Sequence, residues 1–144
     1  MKHCADSSFL VSCYLADAST ARAKAWLLSA NASLPFTDLH ALEVPNALRL
    51  GVFRKIISQR EATAAQADVE SDLVAGRLVE VQTDWPSVFR VAIRLSEQNS
   101  TTIGSRSLDI LHVAAAKTLR AAEFVSFDAR QRTLAACAGL RVFP

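Results

Sequence analysis

The sequence predicts an α/β fold in which a central parallel sheet of about five strands is flanked by helices, a three-layer sandwich. Three observations predict it. Short apolar runs such as LVEVQ (78–82), FVSF (124–127) and LRVF (140–143) alternate with longer stretches whose apolar residues recur at helical spacing. Only four glycines and four prolines occur, and no repeat, low-complexity tract or linker interrupts the alternation. The length of 144 residues suits one domain over residues 1–144 with a real core.

The elements follow in order. KHCA (2–5) is a short first strand, and SFLVSCYLA (8–16) a helix. STARAKAWLLSA (19–30) is a second helix with Ser19 as its N-cap. LPFTD (34–38) is the second strand, and LHALEVPNALRLGVFRK (39–55) a helix that Pro45 should kink or open. Ser58 and Glu61 have capping-box spacing and start a helix that runs to about Ala75, where Gly76 ends it. After the strand 78–82, Asp84 caps the helix WPSVFRVAIRLSEQN (85–99), and STTIGS forms a loop. A helix over 106–121 precedes the strand 124–127, and ARQRTLAACA (129–138) is a helix ended by Gly139 before the last strand, 140–143.

Composition excludes some functions. Net charge is +2, so nothing commits the whole surface to nucleic acid, although a locally basic rim is enough to bind it. No apolar run approaches the roughly 18 residues that span a bilayer, and the N-terminus lacks the form of a signal peptide. Cys4, Cys13 and Cys137 show no CxxC spacing and read as reduced, mostly buried thiols of a cytoplasmic protein. His3, His40 and His112 do not supply the closely spaced pairs of a zinc site.

The carboxylates carry more information. Asp109 sits in a helix that is otherwise almost wholly apolar from Ser107 to Ala116, and an unpaired charge beside a core is costly. In an open parallel sheet the ligand edge lies beyond the carboxyl ends of the strands. Asp6 directly follows the first strand and Asp128 directly follows FVSF, while Glu43 lies one helical turn past LPFTD. The place of Asp109 on that edge is the least fixed by sequence, because its helix precedes a strand. Each acid has an ordinary explanation, such as an N-cap for Asp6 or Asp128, the helix dipole for Asp109, or solvation for Glu43. None of these explains their convergence. Clustered carboxylates repel one another unless a cation compensates, and a hard divalent ion prefers oxygen donors. The other ten acids read as solvated or capping groups. Asp17, Asp38, Asp84 and Glu97 lie in turns or at helix ends, and Glu61, Asp68, Glu70 and Asp72 on a polar helix. Glu80 and Glu123 flank strands.

These motifs resemble the PIN-domain ribonucleases, and most closely the VapC toxins of type II toxin–antitoxin pairs, over essentially the whole chain. The resemblance rests on ADSSFLVSCYLAD with Asp6, HALEVPNALRL with Glu43, GSRSLDILHVAAA with Asp109, and FVSFDARQRTLAACAGLRV with Asp128. It implies a PIN-like fold in which Asp6, Glu43, Asp109 and Asp128 are catalytic and gather Mg²⁺ or Mn²⁺. Asp6 and Asp109 would ligate directly, Glu43 would complete the shell, and Ser7 and Ser126 would support the carboxylates. It further implies metal-dependent hydrolysis of RNA phosphodiester bonds, leaving 5′-phosphate and 3′-hydroxyl ends. Pro45, two residues after Glu43, departs from the expected pattern and bears on how that side chain is placed.

Arg106 and Arg130 stand close to the proposed edge as candidates for RNA phosphate contact. His112, three residues past Asp109, reads as structural. Leu48, Leu50, Val52, Phe53, Ile56 and Ile57 read equally as core alone or as more than one core face needs, leaving a surface for a partner. By the resemblance, such a surface takes a VapB-like antitoxin or a second copy in a homodimer. No helix-turn-helix pattern occurs, so no direct DNA binding by this chain is expected. Two alternatives stand beside the toxin: a PIN nuclease of RNA processing or decay without an antitoxin, and a non-catalytic binding module.

Overall fold

The computed structural model describes residues 2–144. Among them the element order is β1 (His3–Ala5), α1 (Ser7–Tyr14), α2 (Thr20–Ala30), β2 (Leu34–Phe36), α3 (Asp38–Phe53) and α4 (Gln59–Val74). It continues β3 (Leu78–Glu80), α5 (Trp85–Ile103), α6 (Ser107–Thr118), β4 (Glu123–Val125), α7 (Ala129–Cys137) and β5 (Arg141–Phe143). This is the predicted α/β class, with every strand pairing parallel and helices making the connections. Contacts divide the chain into two compact units. One joins the residues up to Asp6 with Gln82–Pro144, and the other is Ser7–Val81.

The first unit holds a parallel sheet in the order β1-β4-β5. Its register aligns His3 with Glu123 and Arg141 at the amino ends, and Ala5 with Val125 and Phe143 at the carboxyl ends. β4 is buried throughout, as expected of a central parallel strand with apolar residues on both faces. In α6 every residue from Ile110 to Ala116 is buried, which is why its apolar residues surround the helix instead of forming one stripe. Asp84 caps α5 by accepting from the Ser87 amide at 3.2 Å. That helix runs four residues further than the sequence suggests, through Ser100–Ile103, and the predicted STTIGS loop is therefore mostly helical. Serine and threonine do not stop a helix by themselves. The first residue able to do so is Gly104, whose left-handed φ of 71° closes it.

The second unit pairs β2 with β3 in parallel. The five strands thus form a three-stranded and a two-stranded sheet, not the single five-stranded sheet expected. Pro35 gives a physical reason. The Leu34 amide donates to Arg77 O and the Phe36 carbonyl accepts from the Val81 amide, so both residues face β3. Pro35 then faces the other edge of β2, where it has no N–H to offer a further strand.

Helix starts in this unit follow side-chain chemistry. Thr37 caps α3 with His40 closing the capping box, and Ser58 caps α4 with Glu61 in the predicted box. Pro45 neither opens nor ends α3, which runs through it from Asp38 to Phe53. Ser19 is not the cap expected for α2: its backbone is helical and its side chain makes no cap bond. Asp17 takes that role, accepting from the Ser19 amide at 2.7 Å. Leu48 is buried with Ala62 and Ala65, and Val52 and Ile57 pack against them. Leu42, Leu50, Phe53 and Ile56 remain exposed. Among the described residues no helix is long and apolar enough to cross a membrane.

Candidate active site

The carboxyl ends of β1 and β4 place the first acid. The ladder continues one residue past β1, the Asp6 amide donating to Val125 O at 3.1 Å. This register sets Asp6 beside Ser126, the residue that follows β4. Ser126 is fully buried and Asp6 is 3% exposed. The Ser126 hydroxyl donates to Asp6 Oδ2 at 2.9 Å, and Ser126 Oγ accepts from the Asp128 amide at 3.0 Å. The Ser126 main chain is also held, its amide on Phe143 O and its carbonyl by Arg132 Nη1. Asp6 and Asp128 therefore hang from one rigid hydroxyl.

Asp128 is the N-cap of α7, accepting from the Gln131 amide at 2.8 Å. Gln131, not foreseen in the sequence reading, ties in the third acid. It is 1% exposed, its Oε1 lies 3.2 Å from Ser126 Oγ, and its Nε2 donates to the Asp109 carbonyl at 3.2 Å. That bond fixes what sequence left open, because it brings the first turn of α6 to the start of α7. Two signals pointed to Gln131. It stands three residues after a capping aspartate, and it shares a helical stripe with Leu134, Ala135 and Ala138.

The Asp109 carboxylate is half-buried and pairs with Arg106, Nε to Oδ2 at 3.0 Å. Arg106 is thus turned back along its own helix, and Arg130 is exposed. His112 is buried within α6. In the other unit, buried Ser7 donates to Glu43 Oε2 at 2.7 Å. Ser7 follows Asp6 directly in the chain. Cys4 is buried, and desolvation pushes its thiol up to about 12, so it stays a neutral thiol at pH 7. Burial does the same for Cys13, to about 12.

Among the described residues no three His, Cys, Asp or Glu side chains are arranged to hold an ion. Each of these acids has a protein donor on one carboxylate oxygen, namely Ser126 for Asp6, Arg106 for Asp109, the Gln131 amide for Asp128 and Ser7 for Glu43. The donor set nevertheless suits a hard divalent ion in kind. It consists of carboxylate and hydroxyl oxygens, with no thiolate or imidazole drawn into the network.

A buried acid of another kind lies at the opposite ends of the same strands. Glu123, a solvated flanking residue by its sequence context, is 4% exposed. Its carboxylate meets Lys2 Nζ at 3.1 Å, His3 Nδ1 at 2.7 Å, and the Arg141 guanidinium. The strand register explains the error, since it lines His3 and Arg141 up on either side of Glu123.

Comparison with known proteins bears on the family and the fold. The PIN domain family model matches residues 4–136. No curated protein matches the chain. Three solved structures share the fold. FitAcB from Neisseria gonorrhoeae has a TM-score of 0.66 at 16% identity, covering 99% of this chain and 96% of that one. VapBC2 from Rickettsia felis, bound to a DNA fragment from their promoter, has a TM-score of 0.66 at 13% identity, covering 99% and 97%. PAE2754 from Pyrobaculum aerophilum has a TM-score of 0.61 at 18% identity, covering 99% and 83%.

Proposed function

Because the chain belongs to the PIN domain family, whose members are generally nucleases, we propose that it is a metal-dependent endoribonuclease acting as the toxin of a type II toxin–antitoxin pair. One observation carries the reading: Asp6 and Asp128 share the Ser126 hydroxyl, and Gln131 bonds to that hydroxyl, to Asp128 and to the Asp109 backbone. Three acids distant in sequence are held in one network.

In this reading Asp6, Asp109 and Asp128 hold Mg²⁺ or Mn²⁺. A bound ion of this kind lowers the pKa of a water and offsets charge on phosphoryl oxygens. Ser126 keeps the Asp6 carboxylate oriented and holds the Asp128 main chain, the Gln131 amide orients the Asp128 carboxylate, and Ser7 orients Glu43. Arg106, beside Asp109, and exposed Arg130 take RNA phosphates, bringing polyanion to a group of acids.

Exposed Leu42, Leu50 and Phe53 share one face of α3, and Ile56 lies exposed just beyond it. This surface is proposed to seat an antitoxin helix or a second copy of the chain. The likeness to FitAcB and VapBC2 supports the antitoxin, and a cytoplasmic location follows from the same reading.

The experiment is RNA cleavage by the wild-type chain and by Asp109→Asn, each with Mn²⁺ and with EDTA. Cleavage by wild type that EDTA stops, and none by the variant, supports the proposal. Equal cleavage by both, indifferent to EDTA, contradicts it. The competing reading is a metal-free binding module, favoured by the Arg106 pairing of Asp109 and the capping role of Asp128. Absence of cleavage under every condition selects that module.

A further inference from the structure

We infer that Gln131 is a positioning residue that fixes Asp109 and Asp128 relative to each other for ion binding, an inference that rests on the function proposed above.

The side chain and amide of Gln131 reach three separate elements. The backbone N–H holds Asp128 Oδ1 at 2.8 Å, in the cap of its own helix. Oε1 lies 3.2 Å from Ser126 Oγ, just past β4. Nε2 reaches the Asp109 carbonyl at 3.2 Å, in the first turn of α6. With 1% of its surface exposed, the amide has little water to turn to, and a buried amide is tolerated only where the protein satisfies it.

The core itself has no need of an amide there. Leu134 and Ala135, on the same face of α7, are fully buried, and an apolar residue at 131 would continue their stripe. The polar atoms of Gln131 are therefore what the position uses. They act in a way that spares the reactive groups. Asp109 is held through its main-chain carbonyl, so its carboxylate meets Arg106 and no atom of Gln131. The amide carbonyl is a second, longer acceptor for the single Ser126 hydroxyl proton that Asp6 Oδ2 accepts. Gln131 also stays neutral, so it adds no further charge to a group of carboxylates. Supporting groups of this type typically alter metal affinity or activity by about 10–100-fold when removed.

The test replaces Gln131 by methionine, which has similar length and no comparable donor or acceptor. Mn²⁺ titration calorimetry, RNA cleavage kinetics and thermal melting are measured on the full chain. The expected result is Mn²⁺ binding weakened by about tenfold or more and a lower kcat, with KM for RNA unchanged. A role confined to structure would lower the melting temperature and leave Mn²⁺ affinity and kcat alone, and that result overturns the inference. A second measurement needs no variant. The Gln131 side-chain amide protons of wild type should exchange with solvent far more slowly than those of exposed Gln98, and equal rates overturn the inference. A wild-type chain that takes no Mn²⁺ overturns the underlying reading and this inference with it. Normal wild-type binding with an unchanged Gln131→Met overturns the role of Gln131 alone.

Discussion

Ser126 and Asp6 are 120 positions apart in sequence, yet the serine hydroxyl donates to the Asp6 carboxylate at 2.9 Å inside the protein. The same oxygen receives the Asp128 amide, so removing it leaves a buried carboxylate and an amide each short of one partner. Unpaired buried groups of this kind cost about 1–3 kcal/mol. Ser126→Ala should therefore lower the urea midpoint by an amount equivalent to that loss and weaken Mn²⁺ binding as well. Wild-type values for both would mean that the hydroxyl organises nothing.

Asp128 has two separable roles, cap and carboxylate. Serine caps a helix nearly as well as aspartate, while alanine costs about 1 kcal/mol. Asp128→Ala should lose both stability and Mn²⁺ affinity, whereas Asp128→Ser should retain most of the stability and lose the affinity. Calorimetric titration together with urea unfolding reads the two separately. Full Mn²⁺ affinity in Asp128→Ser would make Asp128 a cap and nothing more.

Glu123 predicts acid sensitivity. Burial pushes its carboxyl upward, but the Lys2 hydrogen bond and the charges of His3, Lys2 and Arg141 outweigh that and hold it below its ordinary value of 4.5. A carboxyl depressed in the folded state contributes stability that is present above its unfolded value and lost as pH falls through the folded one. Glu123→Gln should cost about 1–2 kcal/mol at pH 7, the cations being largely exposed and partly screened. The difference from wild type should vanish in strong acid, as urea unfolding at a series of pH values would show. A difference that stays constant with pH would remove the charge from the explanation.

Much of this was legible in the sequence. Every expected strand and helix is present, because hydrophobic period and capping residues act over a few residues, although α5 runs on through Ile103 and Ser19 does not cap α2. Asp6 was legible for the same reason, since it directly follows β1, whereas Asp128 stands three residues past Val125, the end of β4, as the N-cap of α7 and not directly after the strand. Relations that depend on register were not. Glu123 reads as a solvated flank until β4 is set between β1 and β5, and Gln131 reads as one polar residue on a helix until α6 is brought to α7. The division of five strands into two sheets was likewise hidden, because it turns on which edge of β2 Pro35 faces. Asp72 reads as a solvated helix residue, but it accepts from the Tyr14 hydroxyl at 2.7 Å and pairs with Arg77, contacts that no local pattern announces.

The central claim is that the acids of this network bind a hard divalent ion together. Titration of Mn²⁺ into the wild-type chain and into Asp6→Asn, followed by calorimetry, tests it most directly. The account predicts saturable binding by wild type that is lost, or at least about tenfold weaker, in the variant. Binding absent from wild type, or undiminished in Asp6→Asn, would contradict it.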